Sequence, residues 1–279
     1  MSNFVGNIDV LKDLFNVSSE QRIGIIGGTG VYDASLLKNA ERVKVNTPFG
    51  NPSDLITIGN FMGKEVAILP RHGSNHTFNP TNVNYRANIF ALKKLGVSRI
   101  ISISAVGSLR EDIKPGDFVF TDQFFDMTKF RKNTFYDGSV VAHVSIPKPF
   151  CPELRSLLVD SAKKLGFPFH DSGCCVVIEG PRFSTIAESR VFQSWGCDII
   201  NMTLVPEVIL ARELGMCYAN IAMVTDYDVW KEQVVTNEEV VRTMKENIEK
   251  VRSLLKEVIP RVEYKGSCDC ASVLDDAFL

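Results

Sequence analysis

Asp226 and Asp228, in Thr225-Asp226-Tyr227-Asp228-Val229-Trp230, follow directly on the apolar run 216–224. Side chains two apart on an extended segment face the same side. Two carboxyl groups so placed can hydrogen-bond the edge of a heterocyclic base or pass a proton to a leaving group. As an Mg²⁺ site they would need further acidic ligands, and no other Asp/Glu cluster completes such a shell. A pair of solvated aspartates in a turn is the competing reading. Three other stretches offer contacts to an anion. In Leu69-Pro70-Arg71-His72-Gly73, with His76 close behind, the guanidinium can grip phosphate with a fork of donors and the imidazole can donate once more. In Gly27-Gly28-Thr29-Gly30, backbone N–H groups can close around an anion and Thr29 adds a hydroxyl. In Ser104-Ala105-Val106-Gly107-Ser108, small residues let a turn present the Ser104 hydroxyl and free amides. Each stretch alone also reads as a tight turn or a solvated loop. Together, and without a Walker pattern, they point to free phosphate rather than a nucleoside triphosphate. A dinucleotide-binding oxidoreductase fits less well. Asp33 stands where the third glycine of that fingerprint belongs, and Glu41 is only loosely placed for the ribose.

The elements that must position these residues are legible too. Residues 22–26, 99–105 and 216–224 are apolar runs of the kind seen in strands buried on both faces. Each leads into one of the stretches above, and ligands of open α/β sheets bind beyond the carboxyl ends of strands. Three junctions share one pattern: 92–96 reads Leu-Lys-Lys-Leu-Gly, 162–166 Ala-Lys-Lys-Leu-Gly and 211–215 Ala-Arg-Glu-Leu-Gly. Each puts cationic residues in a helix's last turn and glycine just past its end. Thr185 with Glu188, and Thr236 with Glu239, have capping-box spacing. Thr236 opens a long amphipathic helix with Val240, Met244, Ile248, Val251, Leu255 and Val258 on one face. Intervals 43–69 and 118–144 read as strand-rich and irregular. Strand and helix alternate throughout, which predicts a single α/β domain with a central mixed, largely parallel sheet flanked by helices.

Composition bounds the function. The chain has 279 residues, 45% of them hydrophobic, and a net charge of −2. That length can bury a full core, and the charge leaves no basic surplus for nucleic-acid backbone binding. No stretch approaches the roughly 18 apolar residues of a membrane span. Residues 1–9 have neither the basic start nor the apolar core of a signal peptide, so a soluble cytoplasmic protein is expected. Seven cysteines, an odd number, are scattered without the Cys-x-x-Cys spacing of a zinc site. No metal is expected, and buried reduced thiols are the default.

Taken together, these motifs resemble the trimeric purine nucleoside phosphorylase family, most closely its 5′-methylthioadenosine phosphorylase branch. The likeness spans about 22–260, leaving 261–279 as a tail. It rests on residues 24–30, Arg71-His72-Gly73 with His76, residues 104–111, Ile178-Glu179-Gly180-Pro181-Arg182-Phe183-Ser184, Asn201-Met202-Thr203 and residues 225–232. The resemblance implies phosphorolysis of 5′-methylthioadenosine to adenine and 5-methylthioribose 1-phosphate. Inorganic phosphate would be the co-substrate and no cofactor would be needed. Within the family, a broader enzyme taking adenosine, inosine and guanosine is the alternative. By position, Thr29, Arg71, His72, Ser104, Ala105 and Thr203 would hold phosphate, with Ser104 standing where close relatives have threonine. Phe183 would pack on the purine and Met202 along the ribose. Asp226, Tyr227 and Asp228 would meet the base, with Asp226 as the acid, protonated through burial. Ser184, Asn237, Val240 and His143 would shape specificity, with Val240 facing the 5′-methylthio group. His143 matches a histidine that reaches a neighbour's 5′ pocket, which implies a homotrimer or paired trimers forming a hexamer. Cys268-Asp269-Cys270 resembles heat-adapted archaeal members in which disulfides form inside the cell, and Cys151 and Cys217 also stand at cysteine positions. Arg212 and Ala271 depart from that pattern, so free thiols are expected.

Overall fold

The computed structural model describes residues 17–28, 37–231 and 237–278; within the last stretch, the side chains of 237–241 and 244 lie outside the description. Thr29, Asp33 and Thr236 therefore lie outside the described residues. The elements run β1 (Arg22–Gly27), β2 (Lys38–Val43), β3 (Ile56–Phe61), β4 (Lys64–Pro70), α1 (Tyr85–Lys94), β5 (Val97–Ser108), β6 (Phe118–Phe120), β7 (Gln123–Met127) and α2 (Pro152–Leu165). They continue with β8 (Phe169–His170), β9 (Cys174–Ile178), α3 (Ile186–Ser194), β10 (Ile199–Asn201), α4 (Leu204–Glu213), β11 (Cys217–Asp226) and α5 (Asn237–Val258).

The strands form one sheet ordered β2-β3-β4-β1-β5-β10-β9-β7, with β11 on β5 and β6, and β8 on β6. Parallel pairs outnumber antiparallel ones, as the alternation of elements requires. The apolar runs supply its centre: β1 and the first half of β5 are parallel neighbours, and β11 lies along the other edge of β5. Alternate residues of β11 feed opposite faces. Tyr218, Ala222 and Val224 join a core with α1 and α4, whereas Ala219, Ile221 and Met223 join one with α2 and α5. The molecule is thus a helix–sheet–helix sandwich.

Local signals hold where they rest on backbone chemistry. Gly96, Gly166 and Gly215 all have positive φ just past α1, α2 and α4, a conformation in which Cβ would be strained. Thr185 and Glu188 form the capping box of α3, each side chain accepting from the other's backbone N–H. The long amphipathic helix exists as α5, with Val251, Leu255 and Val258 buried. Interval 43–69 holds the β3–β4 hairpin, but 118–144 contributes only β6, β7 and a bridge between Ala142 and Phe278. Among the described residues, no helix is long and apolar enough to cross a membrane.

Candidate active site

The first half of β5 pairs with β1 as far as Ser102, while its last residues pair with β10 instead. Between these two partners the sheet opens, and a cavity of about 730 Å³ occupies the gap. Such a switch in strand neighbours is where α/β sheets bind ligands. Ser104, Ala105, Val106 and Gly107 line it from β5, Gly28 from the end of β1, and Arg71 and His72 from the end of β4. Phe183, Ser184, Met202, Thr203, Asp226 and Asp228 complete the predicted set found there.

The two aspartates reach the cavity by a route different from the expected extended pair. The β11–β5 register shifts between Val224 and Asp226, so that Asp226 faces Gly107; such an irregularity re-aims a side chain at a strand end. Asp228 then opens a 3₁₀ turn with a positive φ of 51°. Its N–H donates to Asp226 Oδ1 at 2.8 Å, and the Thr225 hydroxyl donates to Oδ2 at 2.7 Å. Gly107 makes room for both: a Cβ there would sit 3.0 Å from Asp226 Oδ1 and 3.2 Å from Asp228 Cβ. The Asp228 carboxyl has a raised pKa, through burial first, with the nearby Ser189 hydroxyl opposing the shift and the charge of Asp226 adding to it. Asp228 Oδ2 is buried and has no hydrogen-bond partner among the described residues, so a donor from a ligand would satisfy it.

At the anion end, Arg71 departs from expectation. Its guanidinium is buried and paired in bidentate fashion with Glu207, Nε to Oε2 at 2.7 Å and Nη2 to Oε1 at 2.8 Å. Nη2 also donates to Ser102 Oγ and Nη1 to the Ile103 carbonyl. Four of the five N–H protons are therefore engaged, and the fork faces a carboxylate of the protein rather than the cavity. Glu207 in turn accepts from Tyr218 Oη at 2.7 Å and Ser102 Oγ at 3.0 Å.

His72 also differs from a simple donor. Its Nδ1 lies 2.8 Å from the Phe78 carbonyl, which can only accept, so Nδ1 carries the proton and Nε2 presents a lone pair. Burial, with the Arg71 charge adding to it, lowers its pKa to about 4, so the ring is neutral at pH 7. His76 stacks on it at 4.5 Å. Ser104 is the donor on this side: Asn220 Nδ2 donates to its Oγ at 3.2 Å, which leaves its own O–H to give away.

Thr203 stands at the N-cap position of α4, and its N–H and hydroxyl both donate to Asn201 Oδ1, which also accepts from Leu204 N–H. Asn201 also donates to the Ala105 carbonyl at 3.0 Å, tying β10 to β5 across the cavity floor. Arg131, which no motif flagged, clamps the wall. It donates to the carbonyls of Glu179, Met202 and Val205, each at 2.6 Å. Phe183 stays 44% exposed at the cavity edge, a free ring face rather than core packing.

Two predicted residues do not meet the others. Tyr227 turns out of the cavity, edge-on to Trp230 with the Lys231 ammonium 3.9 Å from its ring centroid. His143 is exposed, and its backbone N–H donates to the Ala277 carbonyl at 2.8 Å. Thr29 lies outside the described residues, as do the side chains of Asn237 and Val240 on α5. Far from the cavity, Cys151, Cys217, Cys268 and Cys270 converge on one another, which their sequence spacing did not suggest.

Glu207 and Asn220 carry a signal that was there to be read. Each is a lone polar residue inside an apolar run, in Leu204-Val205-Pro206-Glu207-Val208 and Ala219-Asn220-Ile221. A buried polar group of that kind needs a partner and marks a network.

Comparison with known proteins bears on this geometry. The family model described as the phosphorylase superfamily matches residues 22–260. The S-methyl-5′-thioadenosine phosphorylase of Thermofilum pendens is 60% identical over 258 residues, 92% of this chain and 98% of the relative. That of Nitrosopumilus maritimus is 49% identical, covering 94% of this chain and 99% of the relative. Among solved structures, a methylthioadenosine phosphorylase from an Antarctic soil metagenomic library superimposes with a TM-score of 0.89 at 42% identity, covering 94% of this chain and 93% of that one. An adenosine/methylthioadenosine phosphorylase mutant from Schistosoma mansoni, in complex with methylthioadenosine, does so at 0.85 and 40%, covering 92% and 96%. The branched sheet, the cavity at its branch and these full-length matches lead to one conclusion: the chain belongs to the phosphorylase superfamily.

Proposed function

We propose that the chain cleaves 5′-methylthioadenosine with inorganic phosphate, giving adenine and 5-methylthioribose 1-phosphate. The observation that carries this is a single cavity with a carboxyl pair at one end and Arg71, His72 and Ser104 at the other. A base edge fits the first and an oxyanion the second, with room for a ribose between them. The names of the Thermofilum pendens and Nitrosopumilus maritimus relatives, at 60% and 49% identity, point to the same substrate. A purine-salvage and methionine-salvage role, a cytoplasmic location and a pentosyltransferase reaction free of cofactor go with that reading.

The reaction needs positioning more than reactivity. Phosphate is a weak nucleophile, and C1′ becomes cationic as the bond to N9 stretches, so alignment and charge stabilisation supply the rate. The Ser104 hydroxyl and the remaining Nη1 proton of Arg71 donate to phosphate, with Thr29, Ala105 and Thr203 as further contacts. His72 acts differently. Hydrogen phosphate gives its P–OH to the Nε2 lone pair, which orients an unprotonated oxygen toward C1′.

Adenine leaves poorly as an anion, so a proton must reach N7. Asp226 donates or shares it, while Asp228 accepts from the exocyclic amino group. Two carboxyl groups this close favour one shared proton. A 6-oxopurine would set its O6 against a second acceptor and leave a buried group unpaired, which weighs against inosine and guanosine. Phe183 packs on the base, Met202 lines the ribose, and Ser184, Asn237 and Val240 surround the 5′ group. His143, exposed on its own chain, reaches a neighbour's 5′ pocket in a homotrimer.

The direct test incubates the full-length protein with 5′-methylthioadenosine, with and without phosphate. Adenine and a sugar 1-phosphate should form only when phosphate is present. Equal adenine release without phosphate, giving the free sugar, would make the protein a hydrolase and overturn the proposal.

A further inference from the structure

Three separate parts of the chain bring sulfur to one point at the end of the sheet remote from the cavity. Cys151 is the N-cap of α2, Cys217 is the first residue of β11, and Cys268 and Cys270 flank and enter a 3₁₀ turn in the tail. Cys151, Cys217 and Cys270 are buried and Cys268 is half-buried. All four are free thiols, and their Sγ atoms lie within 4.8 Å of one another. Cys268 Sγ is 3.7 Å from that of Cys151 and 3.4 Å from that of Cys217. Four thiolates around tetrahedral zinc, with Zn–S of about 2.3 Å, stand about 3.8 Å apart. The cluster has that size.

The surroundings suit the negative charge of such a centre. Arg99, buried on β5, is the strand partner of Cys217. Its guanidinium pairs with Glu153 at 2.6 Å. Glu153 also accepts from the backbone and hydroxyl of Ser267 at 2.6 and 2.7 Å, fixing the tail next to Cys268. The N-terminus of α2, at Cys151, adds a partial positive charge. Cys151 N–H donates to the Tyr218 carbonyl at 2.8 Å, so the helix start is already joined to the start of β11.

We infer that Cys151, Cys217, Cys268 and Cys270 form a closed structural tetrathiolate site for a soft divalent metal, zinc by preference. Binding releases four protons from four thiols and transfers no electrons. With all four positions taken by protein, no coordination site is left for a substrate. Cys217 begins β11 and Asp226 ends it, about 30 Å away at strand rise, so the metal takes no part in phosphorolysis. It ties the tail to α2 and β11. The tail's far end then holds 142–143 through Phe278 and Ala277.

The test uses the full-length chain purified under reductant without chelator. Elemental analysis should find one zinc per chain that survives dialysis. Replacement by cobalt should give the near-ultraviolet charge-transfer and visible absorption of tetrahedral tetrathiolate cobalt. Cys268→Ser should lose the cobalt spectrum and bind zinc at least about tenfold more weakly, with kcat/KM for phosphorolysis within about twofold of the parent. Should that variant fail to fold, the parent's metal content and cobalt spectrum still decide. A parent chain that takes up neither zinc nor cobalt overturns the inference. So does a non-reducing intact mass lighter by the hydrogens of two disulfides when the protein is prepared under argon.

Discussion

Glu207→Gln removes the only charge that, among the described residues, faces the Arg71 fork through direct bonds. Both groups are buried, Glu207 fully and Arg71 to 2% exposure. Oε1 accepts from Arg71 Nη2, Ser102 Oγ and Tyr218 Oη, so the new amide must keep its oxygen there. Its NH₂ group then replaces Oε2 and faces Arg71 Nε–H, donor against donor. Breaking a buried pair from one side costs about 3–5 kcal/mol, because the other charge is left uncompensated. At about 2–4 °C per kcal/mol for a chain of this size, the melting temperature should fall by roughly 6–20 °C. Phosphate offers the stranded guanidinium a replacement anion. A ligand at a hundred times its Kd stabilises by about 2.7 kcal/mol, and phosphate should raise the variant's melting temperature more than the parent's. Differential scanning fluorimetry across a phosphate series in a non-phosphate buffer reads both effects. A loss under about 1 kcal/mol would refute the claim that Glu207 neutralises Arg71. An equal phosphate response in the two proteins would refute the claim that Arg71 serves phosphate.

His72, with its pKa lowered to about 4, binds a proton in the unfolded chain before it does in the folded one. Its neutral form contributes stability above pH 6.5 that is lost as pH falls toward 4, up to about 3 kcal/mol. Denaturant unfolding of the parent and His72→Gln at pH 7 and 4.5 should show that extra loss in the parent alone; a constant gap between them would contradict it. Asp228, with its pKa raised by burial, is the opposite case: its ionisation penalises the fold as pH rises through the folded pKa. Asp228→Asn should therefore melt higher than the parent at pH 7, with the gain vanishing as pH drops below the ordinary aspartate pKa; a lower melting temperature at pH 7 contradicts this. Gly107→Ala brings a methyl to 3.0 Å from Asp226 Oδ1 and the Ile200 side chain. It should lower kcat/KM at least about tenfold with little change in secondary structure by circular dichroism, and unaltered kinetics would show that the carboxyl pair has room to shift.

What the sequence made legible follows from how local the signal is. Gly166 past Lys163 and Lys164, and Thr185 with Glu188, are decided by a few neighbouring backbone groups, so the chain itself announces them. Buried runs announce β1, β5 and β11, and the site residues at their ends come with them. The orientation of those residues is not local. Arg71 reads as a phosphate fork until Glu207, 136 positions later, occupies it. Tyr227 sits between two aspartates that reach the cavity, yet the register shift and the 3₁₀ turn send it outward to Trp230. Cys151, Cys217 and Cys268-Asp269-Cys270 show no ligand spacing because three segments meet only in the folded chain.

The central claim is that the carboxyl pair at the end of β11 both protonates and selects a 6-aminopurine. Steady-state kcat/KM for 5′-methylthioadenosine and inosine, measured at saturating phosphate on the parent and Asp226→Asn, tests it most directly. Loss of the acid should lower methylthioadenosine phosphorolysis by about 10²–10⁴. Inosine turnover should fall less or rise, since the asparagine amide can donate to O6. Equal losses on both substrates would leave Asp226 an acid but remove it from base selection. No loss on either would contradict the assignment of this cavity as the active site.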